Sequence, residues 1–367
     1  MEVIKKMSKA KFVSLKKEAF FKSSKSKAYF ELSKSKVLEQ YNKVNSYCDL
    51  VSYSSKTNQD VTKILENETD CMFSVHKTNE LKHVKDKSRV IFLAQAWTYE
   101  YIKQFTEMGI INFVVDNEYD LDQLLEYLKL NDLKINLLLR LKLKENTIRT
   151  EKYFVFGMGS DVINKKLREL RNHEKIEKLG IHFHRKTQNM SEWNLKYEIS
   201  NIIDEDVLGF IDIINIGGGI PSVYANTNEN VIDSIFVKLK EFKEFLVSYN
   251  IQMIIEPGRF IAAPAVKLVT YIKAIYENNI VVNASVYNTD MDALIVPVKL
   301  LIENELEEGE KAYVVKGYTP CSLDLFRYKV YLDNPQVGDK LVFLNAGAYN
   351  FTSDFCDLEK LETGVVR

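Results

Sequence analysis

Eight short apolar runs alternate with longer amphipathic segments between residues 48 and 258, and this alternation constrains the fold more than any other feature of the chain. Runs of this length fit buried strands, and the segments between them have room for helices. Repeated βα units form a parallel sheet, and eight of them predict a closed (β/α)8 barrel, the TIM barrel. The predicted strands are residues 48–55, 71–75, 89–94, 111–116, 135–143, 180–185, 210–218 and 252–258.

The hydrophobic pattern changes after Arg259, where runs of alternating apolar and polar residues such as KLVTYIKAIY and KLVFLNAGAY are separated by short polar turns. This pattern is typical of antiparallel sheets. A chain of 367 residues also exceeds what one hydrophobic core usually supports. We therefore expect an α/β barrel at residues 28–258 and a C-terminal antiparallel β domain at residues 259–367, which residues 1–27 could join.

Composition excludes several classes of protein. The 50 basic and 51 acidic residues nearly cancel, which argues against a general nucleic-acid binder. The four cysteines lie far apart without a CxxC pair, so neither a disulfide framework nor a metal site is predicted. No apolar run reaches the length of a signal peptide or a membrane helix. We expect a soluble protein of the cytoplasm that binds no membrane.

Chemistry in such a barrel gathers where the strands end, and these positions are rich in functional groups. Each has an ordinary interpretation as well. An isolated lysine is usually solvated, a glycine run makes turns, an acid and an arginine in one turn form surface ion pairs, and two histidines alone cannot close a zinc site. The groups are Lys56 in YSSKTN, Arg140, His182 and His184 in GIHFHR, Gly217–Gly219, and Glu256 and Arg259 in EPGR.

Together these groups favour pyridoxal 5'-phosphate as a cofactor. Its aldehyde needs a lysine, its phosphate needs glycine amides and a cation, and its ring nitrogen needs a carboxylate. The ring also needs a flat partner, which one imidazole of GIHFHR can supply. A stacking histidine is thus a better interpretation of this stretch than a metal ligand.

On these motifs the chain resembles the pyridoxal-phosphate decarboxylases of the alanine-racemase-like fold, the group of ornithine, diaminopimelate and carboxynorspermidine decarboxylases. The resemblance implies that Lys56 is the Schiff-base lysine, that His184 stacks on the cofactor ring and that Glu256 pairs with the ring nitrogen. It places Arg140 near the ring hydroxyl and Glu80 of TNEL beside the cofactor. The phosphate contacts that it implies are Gly217, Gly218, Gly219, Gly258, Arg259, Thr187 and Tyr349.

The chain departs from the family pattern at three places. Arg185 and Lys186 follow the stacking histidine where the family usually has Ser or Gly, and Ser74 stands where many members carry an aspartate. The segment GYTPCSLD aligns with the family motif Gly-Pro-Thr-Cys-Asp-Gly-Leu-Asp. Without a gap, Pro320 falls on the family cysteine. With a one-residue deletion, Cys321 aligns with the family cysteine. We favour this second alignment because a thiol can protonate a carbanion and proline cannot.

The resemblance implies a homodimeric enzyme that decarboxylates an amino acid, since Glu256 would keep the ring nitrogen protonated and strengthen the electron sink. A basic substrate of the ornithine, lysine or arginine type, for polyamine biosynthesis, is our first expectation. Its distal amine needs a carboxylate, for which Asp290, Asp292 and Asp324 are candidates. Diaminopimelate or carboxynorspermidine is the alternative, and a cofactor-binding but catalytically silent regulator is the second.

Overall fold

The computed structural model describes residues 26–143, 156–228 and 230–367, so most of the lysine-rich segment 1–27 lies outside the described residues. The chain divides into two units. One, the barrel unit, comprises Val37–Ser222 and Asn228–Ile261. The other, the β unit, contains Val223–Thr227, Ala262–Arg367 and the described part of the N-terminal segment up to Lys36.

The barrel unit contains a closed barrel of eight parallel strands, which confirms the predicted fold class. The last strand pairs with the first, Leu50 opposite Ile254 and Val51 opposite Ile255, so no edge is left open. The barrel strands are β2 (Leu50–Ser54), β3 (Met72–Val75), β4 (Val90–Ala94), β5 (Asn112–Val115), β6 (Ile135–Arg140), β7 (Ile176–His182), β8 (Ile213–Asn215) and β9 (Gln252–Ile255).

Helices fill the connections that the amphipathic segments predict. Asn58 caps the helix after β2, because its side chain accepts hydrogen bonds from the amides of Asp60 and Val61. This cap also fixes the chain just beyond Lys56. The helices that precede or follow the barrel strands are α1 (Lys34–Asn45), α2 (Gln59–Glu68), α3 (Tyr99–Glu107), α4 (Glu118–Leu130), α5 (Ser160–Leu170), α6 (Leu195–Ile202), α7 (Glu205–Leu208), α8 (Asn230–Val247) and α9 (Arg259–Ala265).

An apolar cluster fills the barrel interior and positions the polar groups beyond it. Its buried members are Ile91, Val114, Leu138, Ile213 and Ile254. Side chains alternate along a strand, so the residue two positions further on points to the same side. For four of these five apolar residues, the residue two positions later in the sequence is polar. The barrel interior therefore changes from an apolar layer to a polar layer towards the carboxyl ends of the strands. The four polar residues are Asp116, Arg140, Asn215 and Glu256.

The β unit is a mostly antiparallel sheet in the order β12, β15, β10, β11, β13, β14, with β1 on β10 and β16 on β1. Two of its pairs, β1 with β16 and β11 with β13, are parallel. Its strands are β1 (Tyr29–Ser33), β10 (Val266–Tyr276), β11 (Asn279–Val282), β12 (Leu301–Ile302), β13 (Ala312–Lys316), β14 (Leu325–Tyr331), β15 (Lys340–Leu344) and β16 (Thr363–Val366).

Two stretches with the alternating pattern of strands are not strands throughout. NIVVNASVY continues into the short helix α10 (Val286–Thr289), because Ser285 and Asn288 form a reciprocal capping box. VPVKLLIENE contributes only the two residues of β12, after the second short helix, α11 (Asp292–Ile295). Within the described ranges, no helix is both long enough and apolar enough to span a bilayer.

Candidate active site

The two groups that matter most for the predicted chemistry lie at the carboxyl ends of neighbouring strands. Lys56 stands in a single 3-10 turn, Ser55–Thr57, directly after β2. Glu256 follows β9 immediately, and β9 is hydrogen-bonded to β2. Both side chains therefore reach the same mouth of the barrel, where the charge of Glu256 acts on the Lys56 amine.

The Lys56 side chain is exposed to water, yet protein atoms crowd its amine. This desolvation lowers the pKa of Lys56 below its ordinary value, because burial disfavours the ammonium form. The carboxylates of Glu80 and Glu256 oppose the shift, and the guanidinium of Arg140 adds to it. An amine with a lowered pKa is the form of lysine that acts as a nucleophile near neutral pH.

The Glu256 carboxylate is 6% exposed and is held by donors from three strands. Asn215 Nδ2 donates to Oε1 at 2.8 Å, His182 Nε2 lies 3.3 Å from Oε2, and the Ser74 hydroxyl contributes a further hydrogen bond. Burial alone would raise the pKa of Glu256, but His182 and these donors outweigh it and hold the pKa far below the ordinary value. Glu256 is therefore an ionised carboxylate inside the barrel at neutral pH.

The two histidines of GIHFHR have different partners. His182 is 1% exposed and directs Nε2 towards Glu256, and burial lowers its pKa. His184 is half-buried, and its Nδ1 accepts a hydrogen bond from the Gly218 amide at 3.1 Å. Burial lowers the pKa of His184 to about 3, so its ring is neutral at physiological pH. A neutral, fixed imidazole suits stacking on a flat ligand.

The glycine run is used mainly for close packing. The Gly217 amide donates to Asn215 Oδ1 at 2.9 Å and the Gly218 amide to His184, so these two amides already have protein acceptors. The expected contact of Gly217 and Gly218 with a phosphate group stays a prediction. Gly217 has a φ of +63°, and a Cβ there would lie 2.3 Å from the Phe183 carbonyl oxygen.

Four of the remaining residues expected to hold a phosphate group, Thr187, Gly219, Gly258 and Arg259, lie in the barrel unit, and Tyr349 belongs to the β unit. Arg259 is 3% exposed, and its Nε donates to the Thr187 hydroxyl at 3.2 Å. Gly258 approaches the Lys56 turn so closely that a Cβ would lie 2.2 Å from Thr57 Oγ1. Gly219 has a φ of +111°, a conformation that favours glycine.

Arg140 is fixed at the end of β6 by an ion pair. Its Nη1 lies 2.9 Å from the buried Asp116 carboxylate, whose other oxygen accepts from Gln95 at 2.9 Å. The guanidinium also lies over the Phe156 ring, 4.8 Å from its centroid. The structure therefore holds Arg140 in one orientation through an ion pair at the edge of its planar group and an aromatic ring against one face.

Arg185 is structural. It is 1% exposed and donates to Glu198 at 2.7 Å.

Cys321 lies in the β unit beside a phenol. Its Sγ is 3.0 Å from the Tyr287 hydroxyl, and this hydrogen bond lowers the pKa of the thiol while it raises the pKa of Tyr287 to about 12. The direction of both shifts fits a hydroxyl that donates to a thiolate. Cys321 is therefore a more acidic thiol than an ordinary cysteine.

The three aspartates expected to bind a substrate amine are all buried in the β unit. Asp324 is 2% exposed and accepts hydrogen bonds from the amide of Val286 and from both the amide and the hydroxyl of Thr319. These partners fix the orientation of the Asp324 carboxylate, and its expected role in binding a substrate amine stays a prediction. Asp290 and Asp292 are also buried, and Tyr349 is half-buried with a left-handed φ of +55°.

Three residues that the barrel brings to this mouth were not predicted from the sequence: His76, Asp116 and Asn215. Two of them carried a usable signal. Asp116 and Asn215 each stand two positions after an apolar residue of the barrel interior, where alternation directs a side chain inwards. Among the described residues, no three His, Cys, Asp or Glu side chains are arranged to hold a metal ion.

Comparisons with known proteins identify the family and the fold of this chain. Residues 34–263 match the family model for the pyridoxal binding domain of pyridoxal-dependent decarboxylases. A probable chloroplastic diaminopimelate decarboxylase of Oryza sativa is 25% identical over 330 residues, which cover 82% of this chain and 66% of that protein. Ornithine decarboxylase of Caenorhabditis elegans is 27% identical over 231 residues, or 60% of this chain and 53% of that protein. The chain thus spans two thirds or less of the length of these relatives.

A solved structure shares the fold at low sequence identity. Lysine/ornithine decarboxylase of Vibrio vulnificus, crystallised with cadaverine, has a TM-score of 0.75 and 20% identity, and the match covers 93% of this chain and 94% of that one. Together with the family match, this similarity confirms the resemblance drawn from the motifs.

Proposed function

The chain belongs to the pyridoxal-dependent decarboxylase family, and we propose that it removes the carboxyl group of an amino acid with pyridoxal 5'-phosphate as its cofactor. One observation carries this proposal. A desolvated amine at Lys56 and a carboxylate at Glu256 that is ionised at neutral pH share one barrel mouth, directly after strands that are paired to each other. These are the two side chains that the cofactor needs at its opposite ends.

The residues present fit this cofactor. The lowered pKa of Lys56 suits bonding to its aldehyde, and the neutral ring of His184 suits packing against its pyridine face. Arg259, as a buried cation next to Thr187, suits its phosphate. We further assign Glu80, Arg140, Gly219, Gly258 and Tyr349 to the cofactor site on the family resemblance.

Glu256 determines the type of reaction in this proposal. Pyridoxal phosphate, when bound, accepts the electron pair of a cleaved bond into its ring. A carboxylate that stays ionised holds a proton on the ring nitrogen and keeps that nitrogen cationic. The donors Asn215, His182 and Ser74 preserve the charge of Glu256, so they support decarboxylation through it.

Cys321 is our candidate for the proton donor that completes the reaction. A thiol with a lowered pKa exchanges protons near neutral pH, and the Tyr287 hydroxyl beside it can stabilise the thiolate that remains.

We propose a basic amino acid as substrate, of the ornithine, lysine or arginine type, which would feed polyamine biosynthesis. Asp290, Asp292 and Asp324, all buried carboxylates of the β unit, are the candidate partners for its distal amine. Diaminopimelate is the second candidate, because the rice relative carries that activity in its name. We also propose a homodimer in the cytoplasm, and sedimentation of the purified protein tests the dimer.

A cofactor and substrate panel tests the proposal. The purified protein with pyridoxal phosphate should gain a visible absorption band, and borohydride should abolish the band and leave the label on Lys56. Lys56→Ala should show neither, while Lys63→Ala, an exposed lysine on α2 ion-paired with Asp60, should behave like the wild type.

The panel then measures carbon dioxide and amine from ornithine, lysine, arginine, diaminopimelate and carboxynorspermidine. Consumption of diaminopimelate alone would exclude the polyamine role. No carbon dioxide from any substrate, despite a labelled Lys56, would indicate a catalytically silent regulator. A label on another lysine would exclude the proposed site.

A further inference from the structure

His76 stands between the Lys56 amine and a carboxylate. Its Nε2 lies 3.5 Å from Lys56 Nζ, at the long limit of a hydrogen bond. Its Nδ1 lies 3.8 Å from Glu80 Oε2, and its backbone amide donates to the other oxygen of Glu80 at 3.3 Å. The three side chains therefore form a row in the order amine, imidazole, carboxylate, at the same barrel mouth as Glu256.

The polar atoms of this row define the tautomer of His76. His76 Nδ1 and Glu80 Oε2 are both buried, and within the described ranges neither has a hydrogen-bond partner. In the neutral ring, this facing pair favours the tautomer with the imidazole proton on Nδ1, towards the carboxylate. The lone pair of the ring then lies on Nε2, which faces the lysine.

We propose that His76 is the base that removes a proton from Lys56, with Glu80 as the group that orients it. The inference rests on the proposed function, since it requires Lys56 to be the nucleophile. A nucleophile beside a base that a third group orients is the general arrangement for activating weak nucleophiles, with distances that are often longer before a ligand is bound. One N–H bond of the Lys56 ammonium breaks, the proton bonds to His76 Nε2, and the electron pair stays on Nζ.

The surrounding charges explain why a base is useful at this position. Burial and Arg140 favour the neutral amine of Lys56, but Glu80 and Glu256 favour the ammonium. The two carboxylates therefore oppose the loss of the ammonium proton that desolvation promotes. The imidazolium formed by proton transfer would face the Glu80 carboxylate directly. The charge of His76 also lowers the pKa values of His182 and Glu256, so the protonation of His76 affects both groups.

The rate at which the apoprotein attaches pyridoxal phosphate tests the role of His76 without measuring turnover. We expect His76→Gln, which keeps a polar side chain but cannot take the proton, to slow attachment at pH 7 by about 10- to 100-fold. The rate should approach that of the wild type at alkaline pH, where solvent deprotonates the amine. Added imidazole should restore part of the rate in His76→Ala.

A matched histidine provides the control. His173 lies in the connection before β7, at the opposite end of the barrel from Lys56, so His173→Gln should attach cofactor at the wild-type rate. If His76→Gln loses the native circular dichroism spectrum, Glu80→Gln serves instead and should slow attachment less than tenfold. Wild-type rates with an unchanged pH profile in whichever variant is folded would overturn the proposal.

The same experiment separates this inference from the proposed function. Peptide mapping after borohydride reduction identifies the labelled lysine. A label on Lys56 at the wild-type rate in His76→Gln refutes only the role of His76. A label elsewhere in the wild type refutes the proposed function itself.

Discussion

Asn215 links Glu256 to the glycine run by hydrogen bonds, and its replacement should lower the free energy of unfolding. Its side chain is fully buried, and it both donates to Glu256 at 2.8 Å and accepts from the Gly217 amide at 2.9 Å. Asn215→Ala leaves two buried polar groups short of a partner, one of them charged. At about 1–3 kcal/mol for each, and more for a charge, the free energy of unfolding should fall by about 3–6 kcal/mol.

Urea unfolding of the full chain measures this loss, and Asn136→Ala is the matched control. Asn136 is half-buried near the start of β6, and its side chain donates to Asn112 at 2.8 Å in a bond between neutral groups. That variant should lose only about 0.5–1.5 kcal/mol. The reasoning is refuted if Asn215→Ala costs no more than Asn136→Ala.

The dependence of this difference on pH provides a second check. The folded-state pKa of Glu256 lies below the ordinary value of 4.5, so its contribution to stability is present above pH 4.5 and is lost as the pH falls through the folded-state pKa. Asn215→Ala removes a donor to the carboxylate and raises that folded-state pKa. The gap between the wild type and the variant should therefore be largest above pH 4.5 and should narrow below it.

Three further predictions concern single contacts. Tyr287→Phe should raise the pKa of Cys321 and slow its alkylation by iodoacetamide at pH 7 by about three- to tenfold. Gly258→Ala should lower the free energy of unfolding by about 1–3 kcal/mol through the clash with Thr57, and adding Thr57→Ala should recover part of it. The folded-state pKa of His184 is about 3, so wild-type stability should fall as the pH drops from 6.5 towards 3, and His184→Gln should reduce that slope by up to about 1.4 kcal/mol per pH unit.

Each of these predictions has a control. Cys356 is an exposed thiol, and its alkylation should not respond to Tyr287→Phe. Gly209→Ala meets only one backbone oxygen at 3.6 Å and should be tolerated. For His184→Gln, the control is the wild type measured over the same pH range. Equal effects in variant and control would contradict the corresponding prediction.

The barrel could be predicted from sequence because each strand is an apolar run bounded by polar turns. The error at β7 has a physical reason. This strand begins at Ile176 rather than at Gly180, and its first residues alternate half-buried with exposed Glu177, which looks like a surface segment. In the β unit, the alternation of NASVY resembles a strand, but the capping box of Ser285 starts a helix there.

The site was predictable where chemistry alone identifies a residue type, as with Lys56 and Glu256. It was less predictable where a residue acts through contacts across the barrel. Asn215 lies in an apolar strand, and only its register opposite His182 brings it to Glu256. His76 follows a strand as an ordinary polar residue, and its position between Lys56 and Glu80 depends on the 3-10 segment Thr78–His83.

The Asp324 carboxylate joins two pieces of chain that are 30 or more residues apart. It accepts a hydrogen bond from the Val286 amide at the start of α10 and another from the Thr319 amide in the 317–324 segment. The first piece carries Tyr287 and the second carries Cys321. The spacing of phenol and sulfur is thus set by a carboxylate that touches neither of them in these hydrogen bonds. A change at position 324 should therefore be felt as a change in thiol reactivity, before any loss of the sheet itself.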